Sequence, residues 1–332
     1  MSSGLPRLWG DRFKTENGRR KTENGRRKTE DGRRKNSMRT VAIMGLGLMG
    51  GSLGLALKAQ GFSGTIAGYA RRLETCEEAL RQKMVDRVSN DPSEAVEGAD
   101  LVVLCVPILS MPDLVRGFRD RLKSSCLLTD VGSTKAEVDE AIRQELGSRA
   151  VFFIGSHPIA GSEQQGLGAA RRDLYEKAAC ILTPREDSPA EKVEALASFW
   201  KSLGAVVYRM PAVEHDRIMA RTSHLPHVIA ASLAAVVGRD GDWEQLGRFC
   251  GPGFRDTTRI AEGSSEVWRD IIKTNKSCVL MELDAYKNKL ESWSELIKKD
   301  DFQGLQSFLE QSRSTRRAIM ARRGVEGNQE LL

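Results

Sequence analysis

The run Val41-Ala42-Ile43-Met44, followed at once by Gly45-Leu46-Gly47-Leu48-Met49-Gly50, constrains this chain more than any other stretch. Four apolar residues rich in β-branched side chains read as a buried strand, and residues 52–60 read as a helix. Between a strand and a helix, each glycine has a separate physical task. Gly45 permits the tight turn, Gly47 lets a pyrophosphate approach the backbone, and Gly50 lets helix and strand pack closely. The free N–H groups at the helix start then face the phosphates. The pattern predicts a dinucleotide site.

Short apolar runs continue at Thr40–Met44, Thr65–Tyr69, 101–106, 126–131, 151–155 and Ala179–Thr183, alternating with helix-like stretches at 52–60, 73–83, 112–119 and 135–146. This alternation predicts an α/β fold, a Rossmann-type doubly wound parallel sheet covered by helices. Ligands of such sheets bind at the carboxyl ends of the strands. The segments after Met44, Tyr69, Val106, Val131 and Gly155 therefore line one crevice. The cofactor contacts expected there are Gly45, Leu46, Gly47, Leu48, Met49 and Gly50, with Val106, Pro107 and Ser133. Twenty residues past Gly50, where an NAD site usually carries an acid, stand Ala70-Arg71-Arg72. A carboxylate would repel a 2′-phosphate and a guanidinium can clamp it, so Arg71 and Arg72 predict NADP as the preferred cofactor, with NAD possible.

After Pro184 the pattern changes. Ser188-Pro189 starts a helix over 190–203 that stops at Gly204, and 205–209 reads as a last strand at the sheet edge. Everything beyond Pro211 reads as helical. Residues 218–238 are rich in small and apolar side chains and are expected to be buried on all sides. Val279, Leu283, Tyr286, Leu290, Trp293 and Ile297 form a seam facing another helix, within the chain or in a second subunit. The domains read as 1–37 (a basic tail), 38–210 (dinucleotide-binding), 211–322 (all-α, substrate and dimerisation) and 323–332 (a second tail).

At 332 residues the chain is long enough for two domains, but its net charge of +6 is unevenly placed. Residues 1–37 hold 12 Lys/Arg and 5 Asp/Glu, whereas from Met38 onward 39 Lys/Arg meet 40 Asp/Glu. The basic excess sits in three tandem heptapeptides, KTENGRR twice and then KTEDGRR, over residues 14–34. No copy has an apolar residue for a coiled-coil seam, so the segment is expected to be disordered. Acids interrupt every basic cluster, which argues against nucleic acid or a membrane as partner. The six cysteines lie far apart without a CxxC pair, as expected for reduced thiols in the cytoplasm. No secretory signal and no apolar run of membrane-spanning length is present.

The four histidines all lie between 157 and 227. His157 follows a predicted strand on the cofactor side of the sheet, where an imidazole can accept the proton of an alcohol as it is oxidised. Ser133, at another strand end, can orient that imidazole or bind the same substrate oxygen. His215, His224 and His227 open the first helical stretch. Pro226 interrupts the turn between the last two and no third ligand is near, so polar substrate contacts are expected and no metal. Arg255, Asp256 and Arg259 cluster at a glycine-loosened helix start that suits an anionic substrate.

Taken in order, GLGLMGGSL (45–53), DVGSTK (130–135), GSHPIAGSE (155–163), SHLPH (223–227) and FRDTTR (254–259) make residues 39–320 resemble the prephenate/arogenate dehydrogenases of tyrosine biosynthesis. The resemblance implies oxidative decarboxylation of a cyclohexadienyl acid to tyrosine or 4-hydroxyphenylpyruvate, by a homodimer joined through its helical domain. It implies His157 as the group that takes the ring hydroxyl proton, with Ser133 hydrogen-bonded to both. Arg259 holds a substrate carboxylate, His224 and His227 contact the substrate, and Glu163 and His215 form a supporting polar network. Asp256 is expected to pair with the ammonium of arogenate. Two other readings remain open at this point: a β-hydroxy-acid-type dehydrogenase, and a protein that holds NADP without turnover.

Overall fold

Strand β1 (Thr40–Met44) is apolar without alternation because helices cover both faces of the sheet it sits in, and its last four side chains are fully enclosed. It pairs in parallel with β2 (Thr65–Tyr69) on one side and β4 (Leu101–Leu104) on the other. With β3 (Arg87–Ser89), β5 (Leu127–Asp130) and β6 (Phe152–Phe153) they form a six-stranded sheet of order β3-β2-β1-β4-β5-β6. Crossover helices α1 (Leu48–Ala59), α2 (Leu73–Arg81), α3 (Pro92–Ala95), α4 (Met111–Phe118) and α5 (Ala136–Leu146) connect the strands. The order reverses at β1, so the crevice over the carboxyl ends of β1 and β4 is the place for a ligand. The computed structural model describes residues 38–147, 152–161 and 164–323. The heptapeptide segment, the tail from 324 onward and Glu163 lie outside the described residues.

The glycine turn shows why its sequence is spaced as it is. Gly45 has φ +118°, and a Cβ there would stand 2.7 Å from the Cys105 carbonyl oxygen. A Cβ on Gly50 would lie 1.9 Å from the Gly45 oxygen, so α1 could not close against the turn. A Cβ on Gly47 would meet nothing within 4 Å, because that side faces the open cleft. No side chain caps α1 and no acid lies in its first turn, leaving its N–H groups for an anion. The backbone here fits a dinucleotide pyrophosphate.

The structure departs from the sequence reading at the sheet in two ways. The short β3 and α3 were not expected, since Arg87-Val88-Ser89 carries a single apolar residue. Of the run at 151–155 only Phe152–Phe153 joins the main sheet, as β6, and the runs at Ala179–Thr183 and 205–209 do not join it. Instead β7 (Gly155–Pro158), β8 (Ala179–Thr183) and β9 (Val206–Arg209), preceded by α6 (Ala190–Ser202), build a second, three-stranded sheet in which β7 runs antiparallel to β8. The cause is local. Ile154 N–H still bonds the Leu128 carbonyl, but the Ser156 N–H goes to the Asp130 carboxylate at 3.2 Å instead of to a ladder oxygen. There the chain peels off the parallel sheet, carrying His157 with it.

The helical part runs through α7 (Ala212–Met219), α8 (Leu225–Val237), α9 (Trp243–Phe249), α10 (Pro252–Thr258), α11 (Ser265–Thr274), α12 (Lys276–Lys298) and α13 (Phe302–Arg323). Between α7 and α8 a π-turn spans Ala220–His224. Pro226 has no N–H to give a normal helical bond, and the wider turn absorbs that loss. The stretch 218–238 is not buried on all sides: Ala231, Ser232, Ala235 and Val236 are exposed in the single chain. The seam on α12 is buried only at Val279, while Leu290 and Ile297 are half exposed. All six cysteines are free thiols, Cys250 at the surface. Among the described residues no helix is long and apolar enough to cross a membrane.

Candidate active site

A cleft of about 950 Å³ opens between the glycine turn and the ends of β4, β5 and β7 on one side and the helical part on the other. The sheet side presents Gly47, Leu48, Met49, Val106, Pro107 and Ser133, together with His157. The helical side presents His227, Arg259, Trp268 and Asp270 among mostly apolar neighbours. Gly45, Leu46 and Gly50 lie beneath this lining as the packed frame of the turn. Arg71 and Arg72 are exposed at the end of β2, outside the cleft lining, and Arg72 caps the start of α2.

His157 is half-buried on the cleft wall and is held from behind. Its Nδ1 lies 2.8 Å from Nε2 of His215, whose Nδ1 lies 2.8 Å from Oδ1 of Asp216. The Asp216 carboxylate also accepts the Lys135 and Ala136 backbone N–H groups, each at 2.8 Å, at the start of α5. A carboxylate only accepts, so His215 Nδ1 carries the proton. Burial, and secondarily the Lys135 charge, lowers the His215 pKa despite Asp216; the neutral ring then offers Nε2 as an acceptor. His157 must donate through Nδ1, which leaves its Nε2 as a free base. Burial, helped by the nearby Lys135 ammonium, pushes His157 well below the ordinary histidine range. The ring is therefore neutral at pH 7.

The loop that carries Ser133 fastens to itself. Asp130 accepts the Gly132 N–H at 2.8 Å and pairs with the fully buried Lys135 ammonium, which also donates to the Ser156 carbonyl at 2.9 Å. A dry pair is tolerated only with further hydrogen bonds, and here the Ser156 carbonyl and the Gly132 N–H supply two of them. Ser133 lines the same cleft as His157; among the described residues no hydrogen bond joins the two.

His224 does not reach the cleft lining. It is buried behind it, 3.2 Å from the Asn275 amide nitrogen, which in turn donates to the Asp216 carbonyl at 2.7 Å. Its ring also meets the edge of Trp268. His227 stacks on Trp268 at 3.5 Å with 11° between the planes, and its Nδ1 is buried without a hydrogen-bond partner. Gly263 makes room for that stack, since a Cβ would stand 2.7 Å from the Trp268 indole nitrogen. Asp256 is a correction to the sequence reading. Its carboxylate is exposed beside Arg255 and is not part of the cleft lining, because α10 turns that side chain outward. Asp216, Asn275, Trp268 and Asp270 were missed; no local motif marks them, and Asp216, Asn275 and Trp268 act through contacts some 40 to 80 residues away in sequence. Among the described residues no group of three His, Cys, Asp or Glu side chains is placed to hold a metal.

The family profile for the nucleotide-binding domain of prephenate dehydrogenase matches residues 53–209, and that for its dimerization domain matches residues 211–311. This chain belongs to the prephenate dehydrogenase family. It is 32% identical over 281 residues to the cyclohexadienyl dehydrogenase of Zymomonas mobilis, covering 84% of this chain and 95% of that protein. The crystal structure of prephenate dehydrogenase from A. aeolicus, in complex with hydroxyphenyl propionate and NAD+, superposes with a TM-score of 0.80 at 30% identity, covering 86% of this chain and all of that one. The Synechocystis arogenate dehydrogenase structure gives a TM-score of 0.73 at 30% identity, covering 84% and 99%.

In this dehydrogenase the buried histidines make stability depend on pH in a definite direction. Burial pulls the pKa of His224 down to about 4, from the ordinary value near 6.5. The unfolded chain therefore takes up the proton first as pH falls. The stabilisation is complete above pH 6.5 and is lost progressively toward pH 4, costing about 2 kcal/mol at pH 5 from this residue alone. Urea denaturation of the wild type at pH 7.5 and pH 5 should show a loss of at least this size. The His224→Asn variant should show a smaller loss between the same two pH values.

Proposed function

We propose that this NAD(P)-dependent prephenate/arogenate dehydrogenase uses His157 as the base that accepts the ring hydroxyl proton of its substrate. The observation that carries the reading is the chain Asp216–His215–His157, which leaves His157 neutral with an acceptor nitrogen on the cleft wall. The reaction is the oxidative decarboxylation of prephenate, arogenate or both. When bound, the nicotinamide supplies the hydride acceptor. His157 takes the hydroxyl proton at Nε2, and the positive charge that develops is stabilised through His215 by Asp216. Ser133 is positioned to share the same hydroxyl oxygen. Arg259 holds a carboxylate of the substrate and His227, backed by Trp268, contacts it from the helical side. The cleft wall is apolar at Ile159, Met219, Ile260 and Val267. The ring carboxylate leaves as carbon dioxide, and aromatisation of the ring drives the reaction forward. His215 and His224 act here as supports, not as substrate contacts.

Replacing His157 by Asn keeps a hydrogen-bonding side chain but removes the base. The expected loss in kcat is on the order of a hundredfold to ten-thousandfold, with nucleotide affinity preserved. Full turnover by this variant would remove His157 from the chemistry.

The preference for NADP rests on Arg71 and Arg72, exposed just past the end of β2 with no acid at the position where an NAD site carries one. Among the described residues neither arginine is committed to an ion pair with an acid. Crossing prephenate and arogenate with NADP and NAD in steady-state assays tests the cofactor preference and measures the substrate choice directly. Arg71→Ala should lower kcat/KM for NADP about tenfold, corresponding to the loss of one charge-assisted contact, and leave NAD nearly unchanged. A wild-type preference for NAD would overturn this part.

The homodimer reading is supported by large apolar side chains left in solvent on the last two helices. Leu290, Ile297, Leu309 and Ile319 are at least half exposed there, more than a lone helical hairpin keeps uncovered. Sedimentation should give a mass of two chains at micromolar concentration. A monomer would refute it.

A further inference from the structure

The cleft contains one buried carboxylate to which the proposed chemistry gives no task. Asp270 on α11 is 4% exposed and lines the cleft with Ile271 and Trp268. Both guanidinium contacts from the exposed Arg269, at 2.9 and 2.7 Å, go to Oδ1. Among the described residues Oδ2 has no hydrogen-bond donor, and it is not one of the fully enclosed unpartnered atoms. A carboxylate kept in this position is unfavourable beside the anions the cleft receives. The pyrophosphate and the substrate carboxylates would both be repelled by it. Arg269 already serves Oδ1, and the remaining oxygen, Oδ2, suits an N–H donor or a second cation.

The placement of α11 decides which donor. Thr274, one turn after Asp270, bonds Thr134 through the two hydroxyls at 2.8 Å, directly beside Ser133. Ile271 packs in one apolar cluster with Ile108 and Met111, just past Pro107. The inner face of α11 thus lies on the loops after β4 and β5. In a sheet of order β3-β2-β1-β4-β5-β6, with the glycine turn after β1, the adenosine half of a dinucleotide lies toward β2 and the nicotinamide half toward β4 and β5. Arg259 and the His227–Trp268 stack occupy the substrate side of the same helical wall.

We propose that Asp270 is a cofactor-positioning residue whose free carboxylate oxygen accepts an N–H of the nicotinamide carboxamide and whose charge faces the pyridinium ring. The proposal rests on the dehydrogenase reading above. Holding the carboxamide fixes the rotation of the ring and hence the face offered to the substrate. The negative charge favours the oxidised, cationic ring over the reduced, neutral one. Binding of the nucleotide before turnover and release after it are both aided by that difference.

The test is equilibrium binding of NADP+ and NADPH, by calorimetry and nicotinamide fluorescence, to the full chain as wild type, Asp270→Asn and Asp270→Ala, with thermal melts as a check of folding. Asn keeps an acceptor and loses the charge. Its NADP+ dissociation constant should rise about five- to tenfold while that for NADPH changes less than twofold. Ala loses both, so both constants should rise, with NADP+ affected more. Equal weakening of the two forms in both variants would mean a structural role and overturn the proposal. Unchanged nucleotide binding with a raised KM for arogenate but not prephenate would assign Asp270 to the substrate ammonium, and would overturn it as well. A wild-type chain that binds neither NADP+ and NADPH nor, in the same assay, NAD+ and NADH would remove the dehydrogenase reading itself, and this proposal with it. Nucleotide binding that is intact in the wild type and has an unaltered oxidised-to-reduced ratio in the variants would defeat this proposal alone.

Discussion

The Asp216 carboxylate is the constraint on which the rest of the site depends. One residue of α7 accepts two backbone N–H groups at the start of α5 and the Nδ1 proton of His215. It thereby does three things at once. It caps a helix of the sheet part with a charge from the helical part, where the helix dipole welcomes an anion. It sets the tautomer of His215, and through it that of His157. It also locks the distance between the Ser133 loop and α7, because the capped residues immediately follow that loop. Asn275 holds the Asp216 backbone from α12 and draws His224 into the same network.

Around that anchor the charges of the cleft are distributed by sign. The uncapped start of α1 and the Arg259 guanidinium are the positive features of the cleft. The buried Lys135, neutralised by Asp130, still lowers the basicity of the neighbouring histidines. Burial is the larger cause in each case, so the histidines are neutral because the site is dry rather than because a cation is near. A buried imidazole and a neutral base belong together: opening the wall around His157 to water would raise its basicity. Asp270 is the exception in sign, and it stands on the side of the cleft where the cofactor, not the substrate, is expected.

Legibility followed the range of the interaction. Gly45, Gly47 and Gly50 could be read because each answers a steric condition within a few residues, and the close approaches at Cys105 and at the Gly45 oxygen are the reasons for them. The parallel sheet was legible through β6 except for the short β3, since a strand buried on both faces needs an unbroken apolar run. It failed at Gly155, where a side-chain carboxylate on another strand takes the N–H that a ladder would have used. Asp256 failed for a similar reason. Its motif placed it near Arg259, but which face of α10 meets the cleft is set by tertiary packing, and that packing leaves Asp256 in solvent beside Arg255.

The sequence by itself determined the dinucleotide-binding strand, turn and helix, the alternation that makes the sheet parallel, the family, and the candidate histidines, because each is written in local spacing. Tertiary structure alone decided which histidine is exposed to the cleft and which stand behind it. His157 and His215 are 58 residues apart and become hydrogen-bonded only because β7 leaves the main sheet and α7 packs against the start of α5. A proton's position depends on which atom faces which, and no local pattern of residues contains that distance.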